Sequence, residues 1–98
     1  MARTLTAARA MVRPDREAEY LGLLAERAAA ARRRGARFWC FRSRSTPGAF
    51  LEFTETEDGR AGARTAEEIE LEGRMRVVAL YGPDAEEVWE ELAPGTSH

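Results

Sequence analysis

Apolar positions in this chain follow two rhythms. From Thr4 to Val12 (TLTAARAMV) they alternate, with Leu5, Ala7, Arg9 and Met11 on one side and Thr4, Thr6, Ala8, Ala10 and Val12 on the other. A period of two predicts a strand, and Arg13-Pro14-Asp15 ends it. From Pro14 to Arg34 the period lengthens. Tyr20, Leu21, Leu24, Ala28 and Ala31 predict a helix face turned toward a sheet, with Leu23 pointing outward. Pro14 suits the first helical position, where its missing N–H costs nothing. Acids at 15, 17 and 19 and arginines at 32–34 oppose the helix dipole at its two ends. Gly35 is the expected stop.

Two β-prone runs follow, Arg37 to Arg44 and Ala49 to Thr56, joined across Pro47-Gly48 where a turn is needed. The stretch 36–56 holds all four phenylalanines and one of the two tryptophans. Residues 60–64 are Gly/Ala-rich and read as loop or a helical turn. Thr65-Ala66-Glu67-Glu68 is a capping box, which predicts a short helix ending near Gly73. Met75 to Tyr81 (MRVVALY) reads as a fourth strand, stopped by Gly82-Pro83. A second capping signal at 84–87, with Val88, Trp89 and Leu92, predicts a last helix.

The order is β-α-β-β-α-β plus a short C-terminal helix. That order predicts an α+β, ferredoxin-like domain over residues 1–98, with 93–98 as a flexible tail. It implies one antiparallel four-stranded sheet with helices on one face. An antiparallel sheet with one wet face alternates cleanly, and this one does not. Trp39 and Phe41 oppose Phe38 and Cys40, and Phe50 opposes Leu51 and Phe53. Both faces need cover, so the expected partner is a second copy, a homodimer through the sheet face.

Composition narrows the chemistry. All fifteen basic residues are arginine, and there is no Lys, Asn or Gln, which suggests a GC-rich bacterial genome. Residues 1–50 carry eleven arginines against four acids, and 51–98 carry four against thirteen. The formal net charge is −2, so the two halves are expected to face each other, within the chain or across a dimer, rather than a nucleic acid. No apolar run approaches the length of a membrane span and no signal-peptide pattern is present, so the reading is cytoplasmic, with no membrane partner. Cys40 is the lone cysteine, which excludes an internal disulfide and is best read as a buried inert thiol. The single histidine is His98. Ser-His and Cys-His nucleophile pairs therefore lack their base, and His-built metal sites are excluded. No dinucleotide or phosphate-loop motif occurs. The expectation is no metal and no cofactor. The acids at 67, 68, 70 and 72, and at 86, 87, 90 and 91, read as solvated helix faces.

Three segments carry a family resemblance. Met11-Val12-Arg13-Pro14-Asp15 followed by Arg16-Glu17-Ala18-Glu19-Tyr20 resembles a strand–Pro–acidic helix start. Gly35 leads the aromatic strand Phe38-Trp39-Cys40-Phe41-Arg42, and Phe50-Leu51-Glu52-Phe53 precedes Thr54-Glu55-Thr56. Over residues 4–81 this layout is similar to the dimeric α/β-barrel superfamily, closest to antibiotic-biosynthesis-monooxygenase-like domains. The resemblance implies a homodimer with a pocket between each sheet and its helices. It also implies cofactor-independent monooxygenation of a small aromatic or phenolic compound. The chain departs from the pattern at Thr56, where the family has Trp, and in lacking an internal His. Haem-degrading relatives use an internal His or Asn, so the resemblance does not extend to haem.

Glu52, in mid-strand among apolar residues, is the first candidate for a catalytic base, with Arg42 beside it. Burial would raise its pKa; the alternative is an ion pair with Arg42, Arg9 or an arginine of the partner chain. Trp39, Phe41, Tyr20, Tyr81 and Arg9 are the candidate ligand-binding residues. Trp39, Phe41 and Glu52 share a face if the hairpin register matches their parity. A non-catalytic small-ligand or interaction protein stands beside the enzyme at this point. An RNA-recognition module shares the element order but needs aromatics on strand one, which Thr4 to Val12 lacks.

Overall fold

A computed structural model describes residues 3–57, 64–83 and 86–92. The stretch 60–63, positions 84–85 and the tail 93–98 lie outside them. The chain forms β1 (Arg3–Val12), a single 3-10 turn at Pro14–Arg16, then α1 (Glu17–Arg33), β2 (Arg37–Arg42) and β3 (Ala49–Glu57). After these come α2 (Ala66–Val78), β4 (Ala79–Leu80) and β5 (Glu86–Glu90). The sheet is antiparallel in the order β2-β3-β1-β4, with β5 on the same edge of β1 as β4. This is the ferredoxin-like arrangement that the element order predicts.

Both helices lie on one face. The even-numbered residues of β1 point to them, and Ala10, Val12 and Phe50 join Tyr20, Leu23 and Ala30 of α1 and Leu71, Met75 and Val78 of α2 in the core. Each large apolar side chain so buried contributes about 1.5–3 kcal/mol. The face of α1 is rotated from the predicted one. Leu23 is buried and Leu21 is 40% exposed, because the inward stripe runs Tyr20, Leu23, Arg27, Ala30. Arg27 belongs to that stripe since carboxylates of α2 neutralise it.

Two elements differ from the sequence reading. Gly73 does not stop α2, which continues to Val78 and leaves only Ala79–Leu80 as the fourth strand. Leu71, Met75 and Val78 fall four and three residues apart and all reach the core, so helical spacing prevails over the β-branched run. The predicted last helix is instead β5. Its residues pair with Thr4 to Ala8, an edge of β1 that β4, meeting only Met11 and Val12, leaves uncovered. An open strand edge presents unpaired N–H and C=O groups, and satisfying them outweighs local helix preference.

Part of the charge asymmetry resolves inside the chain. Arg27 bonds Glu68 and Glu72 at 2.9 and 2.7 Å, Arg34 bonds Glu68, and Arg33 pairs with Glu67. Glu68 is fully buried, so the reading of this acidic run as a solvated face is corrected at Glu68 and at half-buried Glu72. Glu68 also closes the Thr65 capping box, its N–H donating to Thr65 Oγ1 while its carboxylate accepts from the Thr65 N–H.

The β2–β3 connection is fixed at its tip. Ser43 Oγ accepts from the N–H groups of Ser45 and Thr46. Gly48 has φ +81°, and the Val12 N–H donates to its carbonyl at 2.8 Å. A Cβ at Gly48 would lie 2.6 Å from the Val12 carbonyl oxygen, so both conformation and space require glycine here.

Among the described residues no helix covers the opposite face of the sheet. Met11, Trp39, Phe41, Leu80 and Trp89 are exposed on it, Phe41 by 57% and Leu80 by 74%. Phe41 packs edge-on against Phe53, with ring centroids 5.7 Å apart. Among the described residues no helix is long and apolar enough to cross a membrane.

Candidate functional site

Register decides which candidates meet. Arg42 pairs with Phe50, Cys40 with Glu52 and Phe38 with Thr54. The seven residues 43–49 thus make an odd-numbered connection, which sets even positions opposite even ones. Glu52 shares the helix-facing side with Phe38 and Cys40. Trp39 and Phe41 pair with Phe53 and Leu51 on the open face, and Arg9 pairs with Leu51 there too. The expected grouping of Trp39, Phe41 and Arg9 with Glu52 is corrected accordingly. Arg42 lies away from the site as well: it pairs with Glu17 at 2.7 Å and stacks over Phe50.

Tyr20 and Tyr81 do converge on Glu52. Each hydroxyl donates to Glu52 Oε2 at 2.5 Å. Tyr20 comes from the first turns of α1 and is fully buried, its ring 4.9 Å from that of Phe50. Tyr81 follows β4. The Tyr20 hydroxyl also lies 3.7 Å from Cys40 Sγ. Neither Arg42 nor Arg9 pairs with Glu52, so tyrosine hydroxyls take the place of the expected ion pair. Glu52 Oε1 has no partner among the described residues, and no fully buried side-chain oxygen or nitrogen there is left unbonded. That oxygen therefore opens onto free space.

The space is a cavity of about 380 Å³ between sheet and helices. Thr6 and Ala8 of β1, Phe38 of β2, and Glu52 and Thr54 of β3 form its floor. Arg27, Glu72, Met75 and Arg76 come from the helices, and Tyr81 to Pro83 and Glu86 close the far side. Pockets that hold small organic molecules span roughly 300–1,000 Å³. The walls are more polar than an apolar slot, with two aromatic rings, a thioether and a proline set among hydroxyl and charged groups.

Electrostatics sharpen the roles. Burial pushes the Glu52 carboxyl above the usual carboxylate range, against the lowering effect of both tyrosine hydrogen bonds and of Arg27. Burial and the Glu52 charge push both tyrosine hydroxyls well above the usual phenol value, so they stay protonated and donate. Burial likewise raises the Cys40 thiol to about 11, which agrees with an inert group. The result is a carboxylate with one oxygen held by two donors and the other free to accept a proton. Among the described residues no cluster of His, Cys, Asp or Glu has the geometry to hold a metal ion.

Parity links Phe38 and Thr54 to Glu52, so the correct hairpin register would have found them in the sequence. Arg27 and Arg76 gave no such sign, because Arg27 is one of many charges in the α1 sequence and Arg76 falls in the run Met75 to Tyr81 that reads as a strand.

No protein-family model matches the sequence, and no curated protein matches it either. Solved structures do. SnoaB, a cofactor-independent oxygenase from Streptomyces nogalater, matches with a TM-score of 0.72 at 18% identity, over 98% of this chain and 97% of its own. An antibiotic biosynthesis monooxygenase matches with a TM-score of 0.65 at 18% identity, over 95% and 98%. A conserved protein from Methanosarcina mazei matches with a TM-score of 0.72 at 14% identity, over 93% and 92%. The structural neighbours are thus antibiotic-biosynthesis-monooxygenase-like proteins that share the fold over nearly the whole chain.

Proposed function

We propose that this protein is a homodimeric α/β-barrel monooxygenase that oxidises a small phenolic compound without a cofactor, with Glu52 as the base. One observation carries the reading: Glu52 presents an unpartnered oxygen to the cavity while Tyr20 and Tyr81 fix its other oxygen. A buried carboxylate with a raised pKa is a better base near neutral pH than an exposed one. The fold shared with a cofactor-independent oxygenase supports the same direction.

The chemistry balances with dioxygen as co-reactant. Glu52 takes the phenol proton. The phenolate supplies electrons to O2, and a C–O bond forms at the ring carbon para to the oxygen. Glu52 returns that proton to the distal oxygen of the peroxide anion, giving a hydroperoxide. The hydroperoxide then loses its ring hydrogen as a proton and its distal oxygen as hydroxide, and these combine as one water and leave a quinone. Tyr20 and Tyr81 are positioning residues that keep the carboxylate aimed into the cavity.

The dimer rests on the open face. Trp39, Phe41 and Leu80 are exposed on one surface, and exposed apolar patches mark interaction sites. Covering them with a second copy closes two half-barrels into one.

The test pairs binding with oxygen uptake. A panel of one- to three-ring phenols is titrated by calorimetry and followed with an oxygen electrode. Stoichiometric O2 consumption that disappears in Glu52→Gln, with binding retained, supports the enzyme. Binding without oxygen uptake in the wild type marks a ligand-binding protein instead.

A further inference from the structure

Three arginines stack on aromatic rings among the described residues. Arg27 lies over Phe38 and Arg42 over Phe50, and each also holds a carboxylate. Arg76 lies 5.0 Å from the centroid of the Tyr81 ring and forms no ion pair among those residues. It lines the same cavity as Glu52. The other arginine there, Arg27, is already neutralised by Glu68 and Glu72. Glu72 in turn is held by Arg64 as well, and Glu86 lies in the field of Arg64. Arg76 is therefore the arginine of the cavity wall that holds no carboxylate among the described residues.

Tyr81 ties that charge to the base. Its hydroxyl sits on Glu52 and its ring lies under Arg76, so acceptor and cation are one aromatic side chain apart. Stacking holds the guanidinium plane in place, and its remaining N–H groups form a planar fork that fits a carboxylate. We infer that the ligand is a hydroxyaromatic acid, its carboxylate bound by Arg76 and its hydroxyl directed to Glu52. A single arginine that holds no carboxylate fits a monoanion better than a phosphate dianion. This inference rests on the cavity reading given above and adds the class of ligand.

The experiment compares 4-hydroxyphenylacetate with its methyl ester by calorimetry at neutral pH, in wild type, Arg76→Met and Arg76→Lys. The acid should bind the wild type about tenfold more tightly than the ester, the worth of one charge-assisted contact at a cavity rim. That preference should vanish in Arg76→Met, survive in part in Arg76→Lys, and shrink as salt is raised. Arg76 is exposed, so both variants should melt within a few degrees of wild type, which a thermal scan checks. Equal binding of acid and ester by the wild type, or an unchanged preference in Arg76→Met, overturns the assignment while leaving the phenol-binding cavity intact. Failure of both compounds and of the phenol panel removes the cavity reading, and this inference with it.

Discussion

Cys40 and Glu52 stand directly opposite each other across the β2–β3 ladder, and both reach the same Tyr20 hydroxyl, at 3.7 and 2.5 Å. The sheet thus presents a thiol and a carboxylate side by side to one buried phenol. Only the carboxylate has an oxygen left for the cavity.

Replacing Glu52 by Gln should separate chemistry from stability. Loss of the base should lower oxygen uptake with a phenol at least about 100-fold. Stability should move the other way. The Glu52 carboxyl titrates above its ordinary value of 4.5 in the folded chain, chiefly because burial disfavours the charge. Folded protein therefore holds this proton more tightly than unfolded protein, and the group favours folding at acid pH. That contribution is lost as pH rises from about 4.5 through the raised pKa. Glu52→Gln should gain on the wild type over that window, read as the difference in Tm between pH 4 and pH 8.

Tyr20 and Tyr81 make equal hydrogen bonds to Glu52 but should not respond equally to removal of the hydroxyl. Tyr20→Phe takes a donor from a fully buried site and should cost about 1–3 kcal/mol. Tyr81→Phe lies at the cavity wall, where water can replace the donor, and should cost about 1 kcal/mol or less. Both should shift the acid limb of the binding or rate profile to higher pH, because each hydrogen bond lowers the Glu52 pKa. A pH titration of either variant checks this.

Glu68 predicts the opposite pH behaviour. Burial alone would raise its carboxyl, but the Arg34 hydrogen bond, the Thr65 N–H and the charges of Arg34 and Arg27 together bring it below the usual range. Its contribution is present above about pH 4.5 and is lost as pH falls through the lowered folded value. Glu68→Gln leaves Arg27 and Arg34 without their full partner and should cost about 3 kcal/mol at neutral pH. That is roughly a 12 °C fall in Tm for a domain of this size. The difference from wild type should shrink in acid.

Much of this architecture can be read from the chain, and the misses share a cause. The strand at Thr4 to Val12, the Pro14-led helix, the hairpin and the Thr65 capping box all depend on neighbours a few residues away. Glu52 stood out because a carboxylate among apolar residues in a strand is rare. Trp39 shares a face with Glu52 only if the hairpin connection is even, and the odd connection puts it on the other side, because one residue of loop length flips every side chain across the sheet. The run Met75 to Tyr81 read as strand because Val77 and Val78 favour extended backbone, whereas the core accepts Leu71, Met75 and Val78 from a helix. The run Glu86 to Glu90 reads as helix by composition and becomes strand only because Thr4 to Ala8 offers it an edge. Long-range supply of hydrogen-bond partners is not written in local sequence.

Gly48 and Gly35 give a matched pair for backbone strain. Both have positive φ, +81° and +83°. Gly35→Ala meets no neighbour within 4 Å and should cost only the left-handed conformation, about 1–2 kcal/mol. Gly48→Ala adds a clash with the Val12 carbonyl and should cost a further 1 kcal/mol or more, roughly 3 in all. Chemical denaturation of the two variants gives the comparison directly.

Placing a charge on the open face should dissociate the proposed dimer without unfolding the chain. Phe41→Glu removes a 57% exposed ring that the core does not use. Sedimentation at micromolar concentration should show the wild type as a dimer and this variant shifted toward monomer. A monomeric wild type would remove the proposed assembly.

The central strand β1 has a consequence for how the protein is made. It touches β3 and β4 and, at Thr4, pairs with Glu90. Among the strands described, the first in sequence is thus the last to be fully flanked, waiting until β5 has been made. Contacts this far apart in sequence slow folding and leave β1 open to mispairing while synthesis continues. The arginines at positions 3 and 9 of that strand carry charge that discourages premature pairing of one nascent chain with another.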